Sequence, residues 1–152
     1  MIELKNVSTV YDDGLMALSN VNLKVNQGEF VSLVGPSGAG KSTLLRLLTR
    51  ELVPQEGEVV LDSVDLATLS GSEIPVLRRK IGTVYQDFKL LSNKNAFENV
   101  AFALEVCGIE EEQIKDDVPK ALNIVGLADK VNSFPHQMSG GEKQRLAIAR
   151  AL

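Results

Sequence analysis

Apolar and polar residues alternate from Ile2 to Val7 and again from Val21 to Val25, the period of half-exposed antiparallel strands. Tyr11-Asp12-Asp13-Gly14 lies between them as a turn signal, and Gln27-Gly28 marks a second turn. The pattern then changes. Phe30, Val31, Leu33 and Val34 form a nearly continuous apolar run, as in a strand covered on both faces. After Gly35 a helix is expected, with Leu44, Leu47, Leu48 and Leu52 on one side. Pro54 and Gly57 punctuate a third strand, Glu58 to Leu61. A short helix is expected over 70–80, with Ser70 or Ser72 as N-cap and Arg78, Arg79 and Lys80 at its C-terminus. The run from Ile81 to Tyr85 reads as another buried strand, ending at Gln86.

Beyond Gln86 the period becomes helical. Phe97, Val100, Ala101 and Leu104 predict an amphipathic helix over 95–106. Ile114 and Val118 continue a helical stripe, as do Ala121, Leu122 and Val125. Pro119 is expected to start a new helix, because a proline breaks a helix interior, and Gly126 to stop it. Residues 90–137 thus read as a helical insertion in an α/β body. Ser139 and Glu142 have the spacing of a capping box at the head of a last helix, KQRLAIARAL.

At 152 residues the chain has the length of one domain, and its 44% apolar and 24% charged content is that of a globular protein. A net charge of −4 gives no reason to expect nucleic acid as a partner. The single cysteine, Cys107, has no internal disulfide partner and, sitting in an apolar run, reads as a core filler in a reducing cytoplasm. The opening MIELKNV has neither a basic nor an apolar leader region, and no stretch reaches the roughly 20 apolar residues of a membrane span.

Candidate chemistry concentrates in two glycine-rich stretches. Gly35 to Ser42 fits Gly-x-x-x-x-Gly-Lys-Ser, placed between an apolar run and a helix. Gly35, Gly38 and Gly40 allow sharp turns that aim backbone N–H groups inward as an anion nest. The following helix points its positive end at the same place. Lys41 would reach the β- and γ-phosphates of a nucleoside triphosphate and the Ser42 hydroxyl would ligate Mg²⁺. The Gly-x-Gly-x-x-Gly spacing of a dinucleotide loop is absent. The second stretch, MSGGE from Met138 to Glu142, is either an ordinary capped helix or a bare helix start meant for a phosphate. Two glycines in a first turn cost about 2 kcal/mol against alanine, which asks for a reason.

Taken together, these motifs resemble the nucleotide-binding subunits of ABC transporters, in that family's order along essentially the whole chain. GPSGAGKST (Gly35, Pro36, Ser37, Gly38, Ala39, Gly40, Lys41, Ser42, Thr43) resembles the Walker A loop. Gln86 resembles the Q-loop glutamine, which in the family contacts Mg²⁺ and relays to a membrane partner. Ser139, Gly140, Gly141 and Glu142 resemble the signature motif, with Met138 where leucine is usual and Glu142 where glutamine is commoner. Tyr11 resembles the aromatic that stacks on adenine; by itself it reads equally as a turn-packing residue. His136 does not match the family's switch histidine and is read as a surface or satisfied residue.

The resemblance implies an α/β P-loop NTPase of ABC type: a RecA-like core, an N-terminal antiparallel β part and a helical insertion, incomplete at the C-terminus. In these terms residues 1–89 are the β part and nucleotide-binding core, 90–137 the helical subdomain, and 138–152 the signature motif and its helix. It implies ATP and Mg²⁺ as cofactors and a head-to-tail dimer in which the signature motif acts on the other copy's ATP. The Walker B aspartate and the glutamate that orients water would come after Leu152, so no catalytic residue is assigned within the chain. The missing strand would leave its neighbours with exposed apolar faces and unpaired backbone groups.

Within the family, EIPVLRRKIGTVYQDFKLL, ENVAFALEV and FPHQMSGGEKQR look most like the cell-division (FtsE-type) ATPases. These work with an FtsX-like integral membrane protein in controlling peptidoglycan hydrolases, at the inner face of the plasma membrane. ATPases of lipoprotein-release and of peptide or macrolide export systems share much of this pattern. A catalytically inactive nucleotide-binding fragment is a further alternative.

Overall fold

A computed structural model describes residues 1–152. It contains two compact units, Met1–Arg78 and Arg79–Leu152.

The first unit is built on a four-stranded antiparallel sheet, ordered β2-β1-β3-β4. Strand β1 spans Ile2–Val10, β2 Met16–Val25, β3 Glu56–Leu61 and β4 Val64–Asp65. Leu4 and Val7 of β1 are both buried, 2% and 0% exposed, at an odd spacing that regular strand alternation does not give. Leu4 lies opposite Leu23 of β2 and Val59 of β3, so one apolar row crosses the sheet. The β1–β2 register shifts between Leu4 and Val7, where Asn6 takes a left-handed φ of 51°. The Asn22 side chain covers the irregularity, accepting from the Asn6 N–H at 2.9 Å. Gly57 is required beside it, because a Cβ there would lie 2.3 Å from the Lys5 carbonyl oxygen.

Helix α1, Lys41–Leu48, buries Thr43, Leu44 and Leu47. It stops at Leu48, short of Leu52, because Arg50 turns left-handed (φ 55°) and closes a two-bond C-terminal motif. Its N–H goes to Leu47, and the Glu51 N–H goes to Arg46. That position favours glycine; here the chain compensates with side chains. Arg50 Nε donates to the Leu66 carbonyl at 2.8 Å. Arg78, at the end of α2 (Ile74–Arg79), donates to the carbonyls of Thr49 and Arg50. The turn leading into α2 begins at Ser70, whose N–H and hydroxyl both donate to Glu73.

The run Phe30–Val34 is not a strand. Phe30 is 96% and Val34 92% exposed, and neither joins the sheet. A strand exists only by exchanging backbone hydrogen bonds with a neighbour, and no strand among the 152 residues lies alongside it. For the same reason Ile81–Tyr85 is irregular in the second unit.

The second unit packs α3 (Ala96–Val106), α4 (Glu111–Ile124) and α5 (Gly140–Ala151) around Val100, Ile114, Val118, Leu122, Leu127 and Leu146. Helix α3 begins with a capping box between Asn95 and Glu98. Its Asn99 is fully buried yet satisfied, donating to the carbonyls of Leu91, Lys94 and Asn95 and accepting from the Leu91 N–H. Helix α4 runs unbroken through Pro119, contrary to the expected new start. Pro119 is on the exposed side, where water can serve the carbonyl it leaves unpaired, and fully buried Val118 and Leu122 hold the turns around it. Gly126, at φ 68°, ends α4 as expected: Leu127 N–H bonds Leu122 and Gly126 N–H bonds Asn123. Cys107 is exposed rather than a core filler; it caps α3 after the apolar stripe has ended at Leu104.

Candidate nucleotide-binding site

The phosphate-loop residues and Tyr11 come together in the first unit. Gly35–Gly40 wraps the head of α1, and Gly40 at φ 81° is its N-cap with no side-chain cap. The N–H groups of Lys41, Ser42 and Thr43 find no acceptor in the chain, and no acidic residue lies in the first turn. Three unpaired donors at a positive helix end, beside a lysine, fit the oxygens of a phosphate chain. Gly40 has a second duty. A Cβ there would sit 2.6 Å from the Ala17 carbonyl oxygen and 2.7 Å from the Leu18 side chain, so only glycine lets α1 start this close to β2.

The Lys41 ammonium donates to the carbonyls of Gly35 and Pro36 at 2.8 and 2.7 Å, which ties the two ends of the loop together. An ammonium has three donors, so one remains to face a ligand. Ser42 is exposed and its hydroxyl makes no hydrogen bond within the chain. Thr43 is buried, and its hydroxyl meets the Tyr11 hydroxyl at 2.7 Å. Tyr11 stands in a tight turn, with its N–H bonded to Leu15 and its carbonyl to Gly14. Gln55 holds the preceding residue from both sides, accepting from the Val10 N–H at 2.8 Å and donating to its carbonyl at 3.0 Å. Nothing in the sequence pattern singled out Gln55, one of several polar residues between Pro54 and Val59.

The remaining candidates belong to the second unit. Gln86 is exposed in a turn closed by the Phe88 N–H on the Tyr85 carbonyl. Phe88 and Lys89 follow with φ of 61° and 47°, and the Arg150 guanidinium donates to both their carbonyls. Burial lowers the Arg150 pKa from its usual value. The capping box at α5 forms as its spacing predicts. Glu142 accepts from the Ser139 N–H and hydroxyl at 2.8 Å each, while Ser139 Oγ accepts from the Glu142 N–H. The two bonds from Ser139, with Lys130 and Arg145 adding attraction, hold the Glu142 carboxyl below its usual range. Gly140 and Gly141 both have room for a Cβ, with only the Arg145 tip 3.7 Å from the latter, and neither has a positive φ. His136 is exposed and stacks on Phe134.

Residues 18–152 match the ABC transporter family. The chain belongs to that family.

Its cassette is 50% identical, over all 152 residues, to the cell division ATP-binding protein FtsE of Bacillus subtilis, and spans 67% of that protein. It is 49% identical to the methionine import ATP-binding protein MetN of Helicobacter pylori strain J99, of which it spans 46%. The ABC fold is matched at a TM-score of 0.91 by the cassette MJ0796, solved as a dimer bound to ADP and Pi; that match is 41% identical and covers the whole chain and 69% of the other. No helix is long and apolar enough to cross a membrane.

Proposed function

We propose that these residues form the ATP-binding part of a membrane ABC complex, with Tyr11, Gly35–Thr43 and Gln86 serving MgATP. The observation that carries it is the head of α1: three N–H groups without an acceptor, the Lys41 ammonium bridging the loop, and Tyr11 fixed to the same turn. The loop N–H groups and Lys41 take the phosphates, and the Tyr11 ring offers a stacking face to the base. Ser42, free and exposed, supplies one oxygen to Mg²⁺; Gln86 is proposed as a ligand on its likeness to the Q-loop glutamine alone. Phosphate oxygens and water fill the rest of a Mg²⁺ shell in sites of this kind.

Ser139, Gly140, Gly141 and Glu142 are proposed to close on the ATP of a second copy in a head-to-tail dimer. The bare, unobstructed glycines support this, because nothing inside the chain needs them. The likeness to dimeric MJ0796 supports it too. The membrane partner is proposed to be FtsX-like and the role cell division, at the inner face of the plasma membrane, supported by the 50% identity to FtsE. A transport ATPase is the second reading, favoured by the nearly equal identity to MetN. Co-purification with an FtsX-like protein supports the first; ATP turnover stimulated by a transported substrate and its permease supports the second.

The central test is calorimetry of MgATP binding to the purified chain, with Lys41→Ala as control and phosphate release followed in parallel. Binding that Lys41→Ala removes is expected. Equal binding by both proteins, or none by either, overturns the site.

A further inference from the structure

We propose that Thr43 is the positioning residue for the base-stacking aromatic: its hydroxyl anchors the Tyr11 ring, so that base binding depends on a hydrogen bond made from the phosphate-loop helix itself. This rests on reading Tyr11 as the base platform.

The Tyr11–Thr43 distance of 2.7 Å is that of a well-formed O–H···O bond. Thr43 is 3% exposed, so the bond has little competition from water. A threonine in a helix commonly turns its hydroxyl back to its own backbone; this one spends it on a residue 32 positions earlier. A hydroxyl gives one proton and accepts at two positions, so Thr43 can hold Tyr11 and still face a phosphate oxygen. One side chain would then join the base end of the site to its phosphate end.

The rest of the Tyr11 surroundings serve the same purpose. The turn fixes its backbone N–H and carbonyl, and the Gln55 fork fixes the peptide before it. Only the ring torsions remain, and the Thr43 bond restrains these at the tip. A ring already held in place loses less freedom when a base stacks on it, which strengthens binding without any new contact.

The test compares ATP with inorganic tripolyphosphate as ligands of the full chain, for Tyr11→Phe, Thr43→Val, Thr43→Ser, the double variant Tyr11→Phe/Thr43→Val, and Tyr11→Ala. Tyr11→Phe keeps the ring and removes only the anchor. It should weaken ATP about 2- to 10-fold, the cost of ordering one side chain on binding, and leave tripolyphosphate unchanged. Thr43→Ser should restore wild-type ATP affinity, and the double variant should bind ATP no worse than Thr43→Val alone. Unchanged ATP affinity in Tyr11→Phe, or losses that multiply in the double variant, overturns the anchor. If Tyr11→Ala also leaves ATP affinity unchanged, the base platform falls with it. If Tyr11→Ala weakens ATP while Tyr11→Phe does not, the platform stands and only the anchor fails.

Discussion

Arg150, in the last turn of α5, donates a 2.9 Å hydrogen bond to the carbonyl oxygen of Phe88, 62 residues earlier. The other arm of the guanidinium reaches Lys89 at 2.6 Å. Two successive non-glycine residues in left-handed conformations are costly, and this fork repays them by holding both carbonyls. The segment after Gln86 is thereby fastened to the helix that begins with the Ser139 cap. Arg150→Met should destabilise the chain by about 1–3 kcal/mol, the lower part of the range applying because the guanidinium is only partly buried. Urea unfolding measures this, and Arg150→Lys should recover less than half of the loss, since an ammonium cannot fork.

At the other end of α5, stability and the proposed function should move in opposite directions. Gly141 has an ordinary φ and open space, so Gly141→Ala should stabilise the isolated chain by about 0.5–1 kcal/mol. The same methyl should hinder approach of a nucleotide held by a second copy, and Gly141→Asp should block it while sparing binding to the monomer. Thermal unfolding and ATP-dependent dimerisation by light scattering read the two effects. Loss of monomer binding in Gly141→Asp would contradict the division of roles.

Pro119 gives a cleaner stability test. Alanine there restores the N–H that the interior of α4 lacks, and the site is exposed, so nothing must repack. Pro119→Ala should raise stability by about 1–2 kcal/mol after allowing for the freer unfolded chain. No gain in urea midpoint would mean that the helix is interrupted at 119 in solution.

The Glu142 carboxyl is held below its usual value of 4.5 by the Ser139 bonds. Its folded-state pKa is depressed, so the ionised cap adds stability above about pH 4.5, and this is lost as pH falls through the folded value. Glu142→Gln keeps a capping side chain without the charge. The stability difference between wild type and Glu142→Gln should therefore be largest near neutral pH and shrink toward pH 3. A difference independent of pH would rule out the ionised cap.

How far the sequence could be read follows from how local each signal is. The capping box at Ser139, the stop at Gly126 and the turn at Tyr11 depend on a few neighbouring residues, and all three form. The stripe of Ile114, Val118 and Leu122 was also legible, but it overrides Pro119 through burial that no local rule supplies. Strands are different: Phe30–Val34 has the composition of a buried strand and still needs a neighbour to become one. At the candidate site, the glycines and Lys41 were legible from spacing. The duty of Gly40 against Ala17, the Gln55 fork and the Tyr11–Thr43 bond were not, since each joins residues far apart in sequence.

Cys107 stands exposed at the end of α3, and it is the only thiol in the chain. A maleimide dye or spin label will therefore attach at one defined point on the second unit, with no background cysteine to remove. In a two-copy assembly the same chemistry would place one label on each copy, so a single inter-label distance, measured with and without nucleotide, would report whether the copies close.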